Sequence, residues 1–150
     1  MSPVVHRAMA IACAVASSFA SAAVSPFCGS DKPDPIDVAL ERELEKSGGV
    51  TSEVREAQGR AHDAWDKRLN AAYRALQTKV SDVDRKLLVQ SQREWLKFRE
   101  THFQFVWSPS MLAQDGTLAP VIVGEWSREM LKQRVCELER AVHYLKANGR

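Results

Sequence analysis

The fold is decided by residues 64–99, which contain AWDKRLNAAYRAL at 64–76 and LLVQSQREWLKFR at 87–99. In the first segment the apolar residues recur at steps of three and four, so they share one face of an α-helix. In the second segment the apolar residues also lie near one side of a helix. These residues are Trp65, Leu69, Ala72, Leu76 and Val80 in the first helix and Val83, Leu87, Trp95 and Phe98 in the second. The pattern predicts two amphipathic helices.

The break between these two helices is short. Ser81 is followed three residues later by Asp84, a pair typical of a capping box, which starts a new helix at once. A connection this short makes the two helices antiparallel neighbours.

Two further helices are predicted. Asp34 and Pro35 suit the first positions of a short helix that ends at Ser47-Gly48-Gly49. Thr51 or Ser52 then caps the long helix that continues to about Lys79. The next helix extends from about Asp82 to Val106, and the last is clear from Ser127 to Ala147.

Residues 107–126 form the longest stretch without a helical period. They contain two prolines, two glycines and the turn Asp115-Gly116, and long loops in small domains are often functional. Trp107 and Trp126 bracket the stretch, either attaching it to the helices or serving as interface anchors. Residues 121–123 are predicted as a short strand or, alternatively, as an early start of the last helix.

These elements predict an all-α protein. The architecture expected is a small helical bundle of three long antiparallel helices plus a short N-terminal helix. Its predicted core consists of Trp65, Leu69, Leu76, Leu87, Trp95, Phe98, Val135, Leu138, Val142 and Leu145.

The N-terminus has the three-part pattern of a secretory signal peptide. His6 and Arg7 give a positive start, residues 8–20 form an apolar run too short to span a membrane, and small residues follow at 20–23. The domain organisation predicted is a signal peptide at 1–23, a loop at 24–33 and one helical domain at 34–150. The protein is expected to be periplasmic or secreted, with no stable membrane insertion after cleavage.

Removal of the signal peptide leaves two cysteines, Cys28 and Cys136. In an exported protein two cysteines most simply form one disulfide. The alternative is two unpaired thiols, because sequence alone does not show that the sulfur atoms meet.

Motifs for catalysis are missing from the sequence. It contains no GxSxG, HExxH, glycine-rich phosphate loop or CxxC, so we expect no enzyme activity, no cofactor and no metal site. The basic residues of the second long helix give at most a partial stripe, which favours a solvated face over a nucleic-acid partner.

The charge is unevenly distributed along the chain. Residues 31–63 carry nine acidic and five basic side chains, a net charge of −4, whereas residues 64–150 carry a net charge of +5. The alternatives are two solvated surfaces or faces that attract partners of opposite charge. In the second case the candidate partner-binding residues are Glu41, Glu43 and Glu45, together with Trp107, Asp115 and Trp126 of the irregular stretch.

The motif residues resemble those of an exported bacterial family named for the lysozyme inhibitor LprI. LNxxY at 69–73 is followed by QxxWxxFRE at 92–100 and by an arginine and a leucine at 134 and 138. The resemblance covers roughly residues 50–145. The network it implies comprises Leu69, Asn70, Tyr73, Gln92, Trp95 and Arg99. Arg99 is expected either to lock the helices together through Asn70, Tyr73 or backbone carbonyls, or to face a partner.

The sequence departs from the family at three places. Many members have a cysteine in the first long helix and another just after the arginine–acid pair, where this chain has Ala57-Gln58 and His102-Phe103, and Glu100 replaces the usual Asp. The resemblance implies a helical exported inhibitor that binds lysozyme. The alternative is a periplasmic envelope protein that binds another protein, or has a structural role, without a lysozyme target.

Overall fold

The computed structural model describes Cys28 and residues 30–149. The predicted signal peptide and residues 24–27 and 29 of the predicted N-terminal loop lie outside the described residues. Within them the protein is helical, which confirms the predicted fold class. The four helices are α1 (Pro35–Ser47), α2 (Thr51–Gln77), α3 (Asp82–Val106) and α4 (Ala119–Ala147).

The ends of the helices follow local chemistry. Asp34 caps α1 by accepting the Ile36 N–H at 2.9 Å, and the helix ends at Gly48, whose φ of 56° suits a residue without a side chain. The predicted capping box of α3 is present, since Ser81 Oγ accepts the Asp84 N–H at 3.1 Å. For α2 the prediction was wrong: Val50 occupies the N-cap position without a side-chain bond.

The last helix begins earlier than Ser127. Helix α4 starts at Ala119, so residues 121–123 are helical and the predicted strand is wrong, while the alternative of an early helix start is right. Pro120 lies in the first turn, where its missing N–H leaves no intrahelical bond unmade. The irregular stretch therefore shortens to residues 107–118.

Cross-helix contacts give the direction of each helix. Arg60 pairs with Glu43 and Trp65 with Asp37, so α1 runs antiparallel to α2. The Gln58 amide bonds to Val121 O, and Arg68 pairs with Glu139 further along, so α2 and α4 run parallel. Helix α3 runs back from the end of α2 outside this α2–α4 pair, and its contacts with the other helices are sparse.

The core lies between α2 and α4. It is formed by Trp65, Leu69, Ala72, Leu76, Leu131, Val135 and Leu138, with Trp95, Val142 and Leu145 packed against it. A smaller cluster of Leu40, Ala57 and Ala61 joins α1 to α2. Two predicted core residues are wrong, because Leu87 and Phe98 are 61% and 58% exposed. They lie on a different side of α3 from Leu88 and Trp95, which pack against the core.

The predicted disulfide is confirmed. Cys28 and Cys136 are bonded, with Cα atoms 5.5 Å apart and a sequence separation of 108. The bond attaches the segment before α1 to the middle of α4. Among the described residues, none of the helices combines the length and apolar character that crossing a lipid bilayer requires.

Candidate functional site

A buried ionic cluster joins α1, α2 and α4. Asp37 is 5% exposed, and its Oδ1 accepts the indole N–H of Trp65 at 3.2 Å and a guanidinium N–H of Arg128 at 3.0 Å. Its Oδ2 lies 2.7 Å from Lys132 Nζ. The Lys132 ammonium also lies 5.7 Å from the centre of a Trp65 ring, within the range of a cation–π contact. One carboxylate thus holds three helices together.

A second ion pair extends this cluster. Arg68 binds Asp34, the N-cap of α1, and makes two bonds with the Glu139 carboxylate at 2.7 and 2.9 Å. Two bonds to one carboxylate fix the guanidinium orientation more firmly than a single contact does. Asp34 therefore serves both the start of α1 and its attachment to α2.

The charges of both arginines are stabilised. Bonds to Glu139 raise the pKa of Arg68 more than its burial lowers it, and Asp34 raises it further. Burial lowers the pKa of Arg128, but the bond and charge of Glu125, with Glu129 and Asp37, outweigh burial and raise the pKa overall. Because the pKa of each arginine is raised in the folded state, the stability that its charge contributes is lost only when the pH rises above the pKa of arginine in the unfolded chain. Both guanidinium groups therefore stay charged at neutral pH.

The positions of these charged residues in the sequence indicate the cluster, although it was not among the predictions. Arg128 continues the seam of Leu131, Val135 and Leu138 at steps of three and four, and Asp37 precedes Leu40 by three residues. A charged residue in an apolar seam is costly unless it is paired. Two such residues of opposite charge therefore indicate a buried pair.

The motif residues lie in α2 and α3 and have separate hydrogen-bond partners. Asn70 donates to Asp66 of its own helix at 2.9 Å, whereas Gln92 accepts from Arg134 of α4 at 3.1 Å. Leu69 is in the core, and Tyr73 packs against it. These contacts place Asn70 and Gln92 in separate hydrogen-bonding groups.

Trp95, like Gln92, is a motif residue through which α3 contacts α4. The guanidinium groups of Arg99 and Arg134 lie 5.2 and 5.8 Å from the centre of its ring, so two cations stack on one indole. Arg99 is half-buried in this stack. The role of the six motif residues in function stays a prediction.

The three candidate glutamates of α1 fall on two sides of the helix. Glu43 faces α2 and pairs with Arg60 at 2.9 Å. Glu41 and Glu45 are four residues apart and therefore share another side of α1. The structure thus leaves two of the three carboxylates together for a partner.

The other candidate residues lie near the connection between α3 and α4. We call residues 103–127 the loop end of the molecule: they comprise the end of α3, the loop at 107–118 and the first turns of α4. Trp107 and Trp126 are 43% and 41% exposed, and Asp115 is exposed in the loop. This segment contains no lysine or arginine, and its charged residues are Asp115 and Glu125. Its exposed side chains thus include two tryptophans and the Asp115 carboxylate, whereas the Glu125 carboxylate binds Arg128.

A metal site does not explain these side chains. Within residue 28 and residues 30–149, no three His, Cys, Asp or Glu side chains come together in a group that fits a metal ion.

Comparison with known families identifies the chain. The family model described as lysozyme inhibitor LprI matches residues 43–138. The chain belongs to the LprI family. This confirms the resemblance inferred from the motifs. No curated protein and no solved structure matches the chain.

The LprI match covers the end of α1, all of α2 and α3, the loop and most of α4. The basic members of the ionic cluster, Arg68, Arg128 and Lys132, lie inside it. Their partners Asp34 and Asp37 lie before it, so the start of α1 is docked onto the LprI region by charges outside the match.

Proposed function

We propose that the protein is an exported, non-catalytic inhibitor that binds lysozyme. The observation that carries this proposal is the LprI match over residues 43–138. Two structural features support it. The core is filled by packed apolar side chains and a paired ionic cluster, and the exposed aromatic residues of the loop end are available for a protein partner.

We propose the loop end as the inhibitory surface. Trp107 and Trp126 offer large exposed aromatic side chains, which contribute strongly to protein interfaces. Asp115 is exposed and the segment contains no lysine or arginine, whereas the Glu125 carboxylate is paired with Arg128, so we expect only a modest attraction to a basic target such as chicken-type lysozyme. The alternative surface is on α1. There Glu43 is paired with Arg60, which leaves Glu41 and Glu45 to meet a partner.

The test is a muramidase assay with surface variants. Mature protein from Val24 onward is titrated into chicken-type and goose-type lysozymes acting on cell walls, at two salt concentrations. We expect saturable inhibition that Trp107→Ala/Trp126→Ala weakens by at least about tenfold. Asp115→Lys should weaken it most at low salt.

The matched control is Glu41→Lys/Glu45→Lys, which changes the charge of α1 and leaves the loop end intact. Loss of inhibition in this variant alone would move the footprint to α1. Failure of the folded, helical wild-type protein to inhibit either lysozyme would contradict the proposed function.

Export is part of the proposal. Its support is the signal-peptide pattern of residues 1–23 and the Cys28–Cys136 disulfide, since disulfides persist in oxidising compartments. Expression of the full chain in a bacterium should yield periplasmic protein whose N-terminus lies near Ala23 or Val24. A full-length chain that stays in the cytoplasm would argue against export.

A second candidate function is that of an envelope protein that binds another periplasmic protein and no lysozyme. The apolar side chains exposed on α3 favour it, because such surfaces mark interaction sites. A pull-down from periplasmic extract that returns one envelope protein, together with a negative muramidase assay, would support this candidate over the first.

A further inference from the structure

Four arginines in the described part of the chain are buried or half-buried, and three of them bind a carboxylate. The three ion pairs are Arg68–Glu139, Arg128–Asp37 and Arg134–Glu137. The fourth arginine is Arg99. Taking a charged group out of water costs free energy, and a hydrogen-bond acceptor normally offsets that cost. Arg99, which belongs to the QxxWxxFR motif, therefore differs from the other three.

The guanidinium group of Arg99 has no acceptor within residue 28 and residues 30–149. It forms no hydrogen bond or ion pair there, and the group it lies against is the Trp95 ring. Its nitrogen atoms are not among the buried atoms that lack a partner, so they reach solvent. The side chain is thus partly covered, while its N–H groups stay open to a ligand.

The Trp95 ring holds one side of the Arg99 guanidinium. The guanidinium carbon lies 5.2 Å from the ring centre, which is the distance of a cation–π contact. A guanidinium that stacks through its flat side keeps its edge, where the N–H groups lie, free for an acceptor. Because the ring orients this edge before a ligand arrives, less conformational entropy is lost when an acceptor binds.

The charges around Arg99 suit an anion with a single charge. Arg134, the other guanidinium over Trp95, has its charge balanced by Glu137. Glu100 is exposed next to Arg99 in sequence and opposes a second negative charge on a ligand. A carboxylate carries one charge, and its two coplanar oxygen atoms match two N–H groups at the edge of a guanidinium. A phosphate would bring a larger charge to a stack in which only one guanidinium is unpaired.

We propose that Arg99, held over Trp95, is a binding site for the carboxylate of a ligand. The carboxylate comes from a small free acid or from an acidic side chain of a protein. Phe103, the first residue of the loop end, lies about 6 Å further along the same side of α3, so a protein bound at the loop end would be close to the site. The proposal goes beyond the lysozyme target, because a carboxylate can bind whether or not lysozyme does.

The first test is a titration of the disulfide-bonded mature protein with acetate at constant ionic strength, followed by NMR of the arginine Nε–Hε signals. The Arg99 signal, identified by its loss in Arg99→Lys, should shift saturably with a dissociation constant of about 10–100 mM. The matched control is the signal of Arg93, an exposed arginine of the same helix, which should not saturate. An Arg99 signal that does not saturate, or an Arg93 signal that saturates equally, would overturn the proposal.

The second test examines the charge and the stack. Phosphate at the same ionic strength should bind Arg99 no more tightly than acetate, and tighter binding would contradict a site for a single charge. Trp95→Phe keeps a smaller ring and should weaken acetate binding by about threefold with unchanged helicity. An unchanged acetate affinity in this variant would contradict the role of the ring.

The muramidase assay distinguishes the two sources of the carboxylate. If an acidic side chain of lysozyme occupies the site, Arg99→Gln should weaken inhibition by about tenfold, whereas Arg93→Gln should inhibit like the wild-type protein. Equal inhibition by both variants would assign the site to a small free acid. This arm rests on the proposed function. A wild-type protein that does not inhibit lysozyme would contradict that function, while the acetate titration would still decide whether Arg99 binds a carboxylate.

Discussion

Helices α2 and α3 are nearly equal in length, with 27 and 25 residues, yet they bury very different parts of themselves. Helix α2 buries residues along its whole length, whereas α3 buries Gln92 and Val106. Both have apolar residues at helical spacing. Periodicity therefore identifies an amphipathic helix but does not specify which of its sides another helix will cover.

The physical difference lies in the size of the side chains at the contact. Helix α2 presents Ala57, Ala61 and Ala72 at buried positions, and α4 contributes Gly124, which lies against Gln58. Small residues let helix axes approach closely. Helix α3 meets α4 through larger side chains, because Arg134 of α4 lies against the Trp95 ring and bonds to Gln92.

The largest effect is expected at the centre of the α1–α2–α4 unit. Asp37→Ala removes the buried carboxylate of Arg128 and Lys132 and leaves them the more exposed Glu125 and Glu129, so the free energy of unfolding should fall by about 3 kcal/mol. Urea denaturation followed by circular dichroism measures this. Asp63→Ala removes an exposed carboxylate of α2 and should change stability by less than about 0.5 kcal/mol. Equal effects of the two variants would contradict the role of Asp37.

The second-largest loss of stability is expected on removal of the disulfide. Replacing both partners in Cys28→Ser/Cys136→Ser releases a loop of 108 residues, and the expected loss is about 2–4 kcal/mol. Chemical denaturation of the wild-type protein with and without reductant gives an independent value. A double variant as stable as the oxidised wild-type protein would show that the bond does not stabilise the fold.

The third effect is a difference in stability loss between substitutions on the two sides of α3. Trp95→Ala removes the inward ring and should cost about 2 kcal/mol, because the side chain is only half-buried. Phe98→Ala removes an outward ring and should cost less than about 0.5 kcal/mol in the monomer. Denaturation at low protein concentration measures both. A larger loss of stability in Phe98→Ala than in Trp95→Ala would mean that the Phe98 side of α3 is part of the core.

The smallest effect concerns the approach of α2 to α4. A Cβ atom at Gly124 would lie 2.7 Å from Gln58 Oε1, so Gly124→Ala displaces an amide that bonds to Val121 and should cost about 1 kcal/mol. Gly59→Ala, also in a helix but with open space around it, should instead add about 0.5–1 kcal/mol. Thermal melts of the two variants should therefore shift in opposite directions. Melts that shift the same way would show that no close contact constrains Gly124.

Much of the fold could be predicted from the sequence because its signals are local. Periodicity, the Asp34 cap and the Ser81–Asp84 pair gave four helices, and two cysteines gave the disulfide. The start of α4 was misplaced because Pro120 and Gly124 are typical of loops, although proline is tolerated in the first turn of a helix. The core positions Leu87 and Phe98 were wrong because α3 has two apolar sides.

Less of the candidate site could be predicted. The motif LNxxY–QxxWxxFR led to the correct family, but the ionic cluster depends on Asp37, Arg128 and Lys132, which lie on different helices and far apart in sequence. Only the charged positions within the apolar seams pointed to it. The exposure of Trp107 and Trp126 depends on how α3 meets α4, which local patterns do not specify.

The packed α1–α2–α4 unit is distinct from the loop end that we propose as the binding surface. Hydrogen exchange of the mature protein, free and saturated with chicken-type lysozyme, tests this most directly. We predict that amides of α2 and α4 exchange most slowly in the free protein, that those of α3 exchange sooner through partial opening, and that lysozyme slows exchange within residues 103–127. Equal protection of α2 and α3, with no slowing at the loop end when lysozyme is added, would contradict it.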